Sequence, residues 1–298
     1  MTTRNALWTE LILSLLRSLV WILTRLLPLT AERRHWVQVT FHEMVAGLCA
    51  TNGLGPLCAM WGGRDTNASP TLHEDIMYIA HKLAAHGIGT ETGGAHENGN
   101  GVMHHGLAGG NGHCHSHHPW YRRYAIRFLR ALIGPFPNGV AKVGHNLTLE
   151  SAHPSPHQNV KVFHTQLWSR KFCFVLDCLA GMIVFPGGIG TDDEESEILT
   201  IQKLAILENR PVIFYSTAYW GPKLKARREG FLLRGIKDYL CGLYIETDDR
   251  DLAADTIISF VESKREAGAW EQRKPTRLVR LLWKLEAWPS GKEESPCQ

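Results

Sequence analysis

The sequence lacks paired cysteines, a strong excess of either charge, and any internal repeat. Its seven cysteines are scattered and form no CxxC pair. A disulfide scaffold is therefore not indicated, and reduced thiols in a cytosol-like compartment are expected. The formal net charge of +3 is too small to indicate a nucleic-acid surface, and no basic stripe is interleaved with aromatics. What remains is an ordinary globular composition over 298 residues, enough for one large domain or two small ones.

A long uninterrupted apolar run is also missing. Residues 7–29 are rich in Leu, Trp and Ile, but Glu10, Arg17 and Arg25 interrupt them, which predicts an amphipathic helix. The interior arginines argue against a membrane span, and no clear cleavage site marks a secretory signal. A helix packed on the domain or a partner subunit, an organelle presequence and a membrane-surface helix remain as interpretations. We favour the first, and so expect a cytoplasmic protein without membrane association.

Short apolar strands alternate with helices from residue 55 onward. A strand is predicted at Pro56–Gly63, a helix at His73–His86, and a second strand at Ile88–Thr92 that ends at Gly93-Gly94. Glycines at strand ends and strand–helix alternation are typical of a parallel sheet covered by helices. We therefore predict an α/β fold, a three-layer α/β/α Rossmann-like sandwich with a mostly parallel sheet.

The second half continues the alternation. Further strands are predicted at Ala141–Leu149, Gly181–Phe185, Pro211–Tyr215 and Gly242–Glu246, and helices at Phe163–Leu179, Glu194–Glu208, Leu232–Leu240 and Leu252–Ala267. The predicted division is a helical extension over residues 1–54, a Rossmann-like domain over 55–270 and a peripheral helix and tail over 271–298. A His- and Gly-rich insertion interrupts the domain at about residues 95–138.

The run Pro186-Gly187-Gly188-Ile189-Gly190-Thr191 follows a buried strand and precedes a helix. Glycines leave room for close approach, and their turn can point several backbone N–H groups at one anion. The helix adds its positive N-terminal dipole, and Thr191 adds a hydroxyl donor or a cap. The run is neither a Walker A loop nor GxGxxG. It predicts a phosphate site at the end of a parallel strand.

Acidic residues follow this run directly, at Asp192, Asp193, Glu194, Glu195 and Glu197. Most of them are explained by the favourable interaction of acids with a helix N-terminus. A carboxylate beside a phosphate is useful, however, if it stabilises a cation, such as the oxocarbenium ion formed when an N-glycosidic bond breaks. Glu194 is the leading candidate, ahead of Asp193 and Glu195.

The run PGGIGTDDE (186–194) resembles the PGGxGTxxE signature of the LONELY GUY-type cytokinin/nucleotide phosphoribohydrolases, long labelled lysine decarboxylase-like. Arg170-Lys171 is similar to that family's Arg-Lys pair on the preceding helix. Gly62-Gly63-Arg64 and TGG (92–94) with GVM (101–103) resemble its two other glycine turns. The run at 144–159 resembles a loop of the larger bacterial members. Together these similarities span roughly residues 55–265.

The resemblance implies hydrolysis of a nucleoside 5′-monophosphate, AMP-like or a cytokinin riboside monophosphate, to free base and ribose 5-phosphate, without a cofactor. It makes Arg170 and Glu194 catalytic. The residues implied in phosphate or nucleotide binding are Gly187, Gly188, Gly190, Thr191, Lys171, Gly93 and Gly94. It also implies a homodimer or larger homo-oligomer with sites near the subunit interface. No signature marks the lysine that a PLP-dependent decarboxylase needs.

The sequence departs from this pattern in the turn TGGAHENGNGVM (92–103), where the family has TGGGPGIM. Asp192 and Glu195 replace residues that are usually apolar, and residues 111–138 resemble an insertion. These departures leave the base undetermined. They also leave an alternative function open, a non-catalytic nucleotide-binding regulatory protein of the same fold.

Other clusters are assigned weaker roles. Imidazoles and a thiol crowd one segment and could hold a transition metal, at His104, His105, His113, Cys114, His115, His117 and His118. Their irregular spacing matches no zinc module, so a polar insertion is favoured and no metal site is predicted. His96 and Glu97 could contact a base. The basic helix predicted at Trp120–Ile133 is interpreted as a surface or interface helix, and Asp177 as a surface or capping residue.

Overall fold

A computed structural model describes residues 15, 18–51, 54–63, 70–96, 101–109, 140–148, 153–204, 206, 208–235 and 240–268. The predictions for the helix Trp120–Ile133, for the insertion from residue 110 onward and for residues 271–298 lie outside the described residues. The rest of the Rossmann-like domain can be compared with its predicted elements.

In the described part of the chain, seven strands form one sheet in which every neighbouring pair is parallel. They are β1 (Leu57–Trp61), β2 (Gly89–Thr92), β4 (Lys142–Leu147), β6 (Val160–His164), β7 (Gly181–Val184), β8 (Val212–Tyr215) and β9 (Ile245–Thr247). A separate antiparallel pair consists of β3 (Ala95–His96) and β5 (His153–Pro154). The predicted parallel sheet is confirmed.

The order of the strands across the sheet is β6-β4-β2-β1-β7-β8-β9. The chain runs outward from β1 to one edge, returns to β7 beside β1, and runs outward again to the other edge. The direction of winding therefore reverses between β1 and β7. In open α/β sheets, the crevice at the carboxyl ends of such strands is where ligands bind.

Helices cover both faces of this sheet. They are α1 (Ala31–Thr51), α2 (Pro70–Ala85), α3 (Val102–Gly109), α4 (Leu167–Asp177), α5 (Ile189–Lys203), α6 (Thr217–Leu233) and α7 (Arg250–Glu266). Successive residues of a strand point to opposite faces, and β7 shows the result. Ile183 packs in a buried cluster with Ile257 of α7, whereas Val184 packs in a second cluster with Phe174 of α4. The fold is the predicted three-layer α/β/α Rossmann-like sandwich.

The predicted helix Phe163–Leu179 is wrong in its first part. Val160–His164 is the edge strand β6, and the helix begins only at Leu167. Within this strand, Val162 and His164 are buried whereas Lys161 and Phe163 are exposed. This is the period of two of a strand with one covered face. An exposed phenylalanine next to an apolar helix hid that period in the sequence.

Two other helix boundaries also differ from the prediction. The helix predicted at Leu232–Leu240 does not continue through residues 234–235, because α6 occupies Thr217–Leu233 and Gly235 lies in the left-handed region (φ +65°); residues 236–239 lie outside the described part. Gly-Pro at 221–222 resembles a turn but lies inside this helix. The helix predicted at Glu194–Glu208 begins five residues earlier, at Ile189, so part of the predicted glycine loop is its first turn.

The N-terminal segment is helical at residues 18–26, before α1. Thr24 is buried, and its hydroxyl accepts a hydrogen bond from the side-chain amide of Gln38 in α1 (2.8 Å). Neighbouring apolar side chains are exposed, at Leu19, Trp21, Ile22, Leu23 and Leu26. Among the described residues, no helix has both the length and the apolar character needed to cross a membrane. The role of this extension stays a prediction.

Candidate active site

The carboxyl ends of β1 and β7, where the winding reverses, carry the two glycine runs Gly62-Gly63 and Gly187-Gly188. Backbone hydrogen bonds hold the two turns together. Gly63 N–H donates to the carbonyl of Pro186 (3.0 Å), and Val102 N–H donates to the carbonyl of Gly63 (3.0 Å). The PGG turn predicted to bind phosphate thus lies at the position where the topology favours a ligand.

The glycines of this turn have different surroundings. A Cβ on Gly187 would lie 2.2 Å from Thr191 Oγ1 and 2.9 Å from Gly63 N, so packing requires glycine there. A Cβ on Gly188 or Gly190 would meet no described atom within 4 Å, and both residues are exposed. Their backbone is open to close approach from outside the protein.

Helix α5 begins in this turn, with Gly188 at its N-cap. The N–H groups of a first helical turn have no acceptor within the helix, and they favour an anion together with the helix dipole. Thr191 is buried beneath Gly187, and no side chain caps this helix. Thr191 is thus not the N-cap, and its alternative role as a hydroxyl donor stays a prediction. The backbone supplies the candidate anion donors.

Arg170 lies in the first turn of α4 and is only 8% exposed. Its guanidinium lies directly against Gly93, where an added Cβ would be 2.5 Å from Arg170 Nη2 and 2.4 Å from Met103 Sδ. The same guanidinium lies over the ring of Phe174 at 5.3 Å. Gly93 therefore makes the space in which the predicted catalytic arginine is seated.

Gly94 is required for a different reason. Its φ of +77° lies in the left-handed region that favours glycine, and a Cβ would meet Asn146 Oδ1 at 2.5 Å. The carbonyl of Gly94 accepts hydrogen bonds from the side chain of Gln158 and from Ser155 N–H (2.8 Å). Protein atoms thus fill the turn after β2, and Asn146 and Gln158 come from the run at 144–159.

Glu194 is half-buried in α5. Burial raises the pKa of its carboxyl to about 7, and the charges of Asp193 and Glu197 also raise it, while Arg170 and Lys171 lower it. The structure thus brings Arg170 and Glu194, the two predicted catalytic residues, within electrostatic reach of each other. A carboxyl with this pKa exchanges its proton near neutral pH.

Lys171 binds carboxylates of α5. Its ammonium lies 2.7 Å from Asp193 and 3.1 Å from Glu197. Burial opposes its charge, but the hydrogen bonds that the ammonium donates to these two carboxylates raise the pKa of Lys171 above its ordinary value. Lys171 therefore joins α4 to α5, and its predicted contact with phosphate stays a prediction.

Helix α6 contributes residues that the sequence did not reveal. The Tyr219 hydroxyl donates to the carbonyl of Gly187. The Lys223 ammonium donates to Tyr219 Oη (2.9 Å) and to Asp192 (2.7 Å). Tyr219 and Lys223 are four residues apart on one helix and so share a face. This spacing could have indicated them, but Gly-Pro at 221–222 is typical of a turn and no helix was predicted there. Glu195, also on α5, is fully buried and paired with Arg227 of α6.

The remaining candidates are placed as follows. His96 lies in β3 opposite His153, and Glu97 and Arg64 lie outside the described residues. In the His-rich segment, the ring of His105 stacks on that of His73 at 4.2 Å, and residues 110–118 lie outside the described part. Asp177 is a correction, because it is buried and faces His145 at 3.5 Å instead of lying at the surface.

The chain is similar to one protein family and to several solved structures. Residues 133–240 match the family described as "Possible lysine decarboxylase", and no curated protein matches the chain. Among solved structures, the molybdenum cofactor carrier protein of Chlamydomonas reinhardtii is similar, with 15% identity over 70% of this chain and 99% of that one (TM-score 0.45). A molybdenum cofactor binding protein of Rippkaea orientalis matches with 15% identity over 70% and 98% of the two chains (TM-score 0.44).

The matched residues 133–240 include both Arg170 and the run PGGIGTDDE, which carry the resemblance found in the sequence. The sheet order places that run where ligands bind in such folds. The match over residues 133–240 thus agrees with the resemblance to the lysine decarboxylase-like, LONELY GUY-type family that the sequence indicated.

Proposed function

We propose that the protein hydrolyses the N-glycosidic bond of a nucleoside 5′-monophosphate, giving free base and ribose 5-phosphate. The observation that carries the proposal is the electrostatic interaction of buried Arg170 with Glu194, whose pKa is about 7, beside an open glycine turn. A phosphate-binding turn alone would support nucleotide binding. The carboxyl beside it supports bond cleavage.

In the proposed reaction the 5′-phosphate binds the backbone N–H groups at the start of α5. Arg170 neutralises the phosphoribosyl group from the side of Gly93. The C1′–N bond breaks with its electron pair going to the base, and positive charge develops on the ribose. Glu194, as a carboxylate, stabilises this charge and accepts a proton from the water that adds to C1′. The departing base takes up a proton, so atoms and charge balance.

The test is incubation of the purified protein with AMP, CMP, GMP, UMP and a cytokinin riboside monophosphate, with free base and ribose 5-phosphate as readouts. Glu194→Gln should reduce release by at least about a hundredfold while nucleotide binding is largely retained, because a positioned acid–base group contributes about 10²–10⁴ in rate. Glu246→Gln changes an exposed glutamate of β9 and should act as wild type. Release by Glu194→Gln at the wild-type rate would show that Glu194 has no such role.

A non-catalytic nucleotide-binding protein is the second candidate. It is favoured by the turn after β2, in which protein atoms from Asn146 and Gln158 pack against Gly94. In this case the panel of nucleotides would bind with no release of base, and Glu194→Gln would change neither binding nor turnover. The same assay therefore distinguishes the two functions.

We also propose that the protein forms a homodimer or a larger homo-oligomer. Exposed apolar side chains line α4, the helix that carries Arg170, at Leu167, Trp168 and Phe172. Trp168→Asp should lower the oligomeric mass measured by light scattering, because a charge would replace a large apolar contact. An unchanged mass would remove this face of α4 from the interface.

A further inference from the structure

Three acceptor atoms converge in the interior, on the side of the sheet covered by α4. His145 Nε2 lies 3.6 Å from Glu91 Oε1 and 3.5 Å from Asp177 Oδ2. Glu91 and His145 are completely buried, and Asp177 is 9% exposed. The donor atoms of the three residues all lie within 4.8 Å of one another. No part of the proposed hydrolysis uses this cluster.

The fold brings the three residues together from separate segments. Glu91 of β2 pairs with Val143 of the adjacent strand β4. His145 is two residues beyond Val143 and so points to the same face, where it is a diagonal neighbour of Glu91. Helix α4 covers this face, and Asp177 is its last residue. Two strands and one helix end therefore meet at one point.

A chain of hydrogen bonds fixes the proton on the ring of His164. Ser169 Oγ lies 2.6 Å from Glu43 Oε2 and donates to it. Burial opposes ionisation of Glu43, but the bonds from Ser169 and Thr165 outweigh it and hold the pKa of that carboxyl below its ordinary value. Since the Ser169 proton is directed at Glu43, Ser169 Oγ accepts from His164 Nδ1 (3.1 Å).

The position of the proton on the His145 ring follows from that on His164. With its proton on Nδ1, His164 offers Nε2 as an acceptor, so His145 Nδ1 donates to it (3.0 Å). The other ring nitrogen of His145, Nε2, faces the carboxyl groups of Glu91 and Asp177. Three atoms that can each bind a metal ion thus lie together.

These atoms have no other partners among the described residues. Glu91 Oε1 and Oε2, His145 Nε2 and Asp177 Oδ2 are buried without a hydrogen bond. A buried acceptor left unsatisfied costs about 1–3 kcal/mol, and more when it is charged. Arg210 reaches the cluster only electrostatically, because its guanidinium donates to the carbonyls of Val175 and Cys178. One bound cation would satisfy all of these atoms together.

We propose that Glu91, His145 and Asp177 bind one divalent transition-metal ion of the Zn²⁺ type. Tetrahedral zinc with bonds of about 2.0–2.2 Å places neighbouring donors about 3.3 Å apart. The two distances from His145 Nε2, 3.6 and 3.5 Å, are within a few tenths of an ångström of that value. Imidazole and carboxylate donors suit such an ion, and both oxygens of Glu91 are available, which supplies a fourth donor.

The outer contacts are those of a metal-binding histidine. Such a histidine donates its other ring N–H to an acceptor that fixes the tautomer, as His145 does to His164. The ion would join β2, β4 and the end of α4. Asp177 is seven residues after Arg170 on this helix, about 10 Å along its axis. The proposed role is therefore structural: the ion holds the helix that carries Arg170.

The first test measures the metal content of the untagged full-length protein by mass spectrometry, as purified and after removal of metal and addition of Zn²⁺. Wild type should hold Zn²⁺ in a one-to-one ratio at this cluster. Glu91→Gln and Asp177→Asn should each lose that equivalent and melt at a lower temperature. Glu195→Gln removes a fully buried carboxylate elsewhere and should keep it. Wild type and all variants contain the same His-rich segment, so any metal bound there contributes equally to each measured metal content.

The second test needs no variant. Co²⁺ in place of Zn²⁺ should give visible bands of a tetrahedral nitrogen and oxygen site, without the thiolate charge-transfer band that ligation by neighbouring Cys173 would add. Wild type that takes up neither ion, or variants that all retain it, would overturn the proposal. In the first case, a proton would remain on Glu91, whose pKa burial raises well above its ordinary value. If wild type binds the metal ion but releases no base from any nucleotide, the result would contradict the proposed hydrolysis and leave the metal site standing.

Discussion

Two glycine turns follow the strands that flank β1, and they use glycine for opposite reasons. After β2, Gly93 and Gly94 are enclosed, one by Arg170 and Met103 and the other by Asn146 and Gln158. After β7, Gly188 and Gly190 are open, with no described atom within 4 Å of an added Cβ. The enclosed turn seats a side chain of the site, whereas the open turn leaves backbone exposed. We therefore expect the first turn to position Arg170 and the second turn to bind phosphate.

Among the glycine variants, the largest expected effect is at the enclosed turn. Gly93→Ala would place a methyl group against Arg170 Nη2 and Met103 Sδ, both at the ends of flexible side chains that can move. Because a displacement of about 1 Å in a positioned group can cost about a hundredfold in rate, kcat/KM for base release should fall by about that factor. The melting temperature should change little.

Gly230→Ala is the control for Gly93→Ala, because it adds a methyl group to α6 where nothing lies within 4 Å. It should leave base release unchanged. Equal activity of Gly93→Ala and wild type would show that Arg170 does not depend on the space that Gly93 leaves.

The second comparison is within the PGG run. Gly187→Ala would collide with Thr191 and with the backbone of Gly63, so the free energy of unfolding should fall by about 1–3 kcal/mol. Gly188→Ala meets no described atom and should stay within about 0.5 kcal/mol of wild type. However, Gly188→Ala should weaken binding of ribose 5-phosphate. Urea denaturation and calorimetric titration measure the two effects, and equal unfolding energies for the two variants would contradict this division.

The smallest expected effect is that of pH. In the proposed reaction Glu194 acts as a carboxylate, and its pKa is about 7, so kcat/KM should fall about tenfold between pH 8 and pH 6. Because the pKa is raised, the folded protein binds more protons than the unfolded chain at every pH between the ordinary pKa of a glutamate and about 7. Stability from this group is therefore present at low pH and is lost as the pH rises through about 7. A flat rate profile from pH 6 to 8 would contradict the role of Glu194.

The sequence was sufficient for the features that depend on local pattern. Buried strands that end in glycine predicted the parallel sheet, and PGGIGTDDE with Arg170 located the candidate site. Tyr219 was missed because Gly-Pro inside α6 resembles a turn. The cluster of Glu91, His145 and Asp177 was missed because its members come from two strands and a helix end, with no spacing that links them. Asp177 was interpreted as a surface or capping residue, since nothing local indicates that a helix end is buried.

The most direct measurement is a crystal structure of Glu194→Gln with AMP, or with whichever nucleotide the assay selects. The account predicts phosphate oxygens within hydrogen-bond distance of the backbone N–H groups at the start of α5, and the Arg170 guanidinium on the phosphoribosyl group. It also predicts that ribose C1′ faces the side chain at position 194. A nucleotide bound with its phosphate away from residues 187–191, or with C1′ remote from position 194, would contradict it.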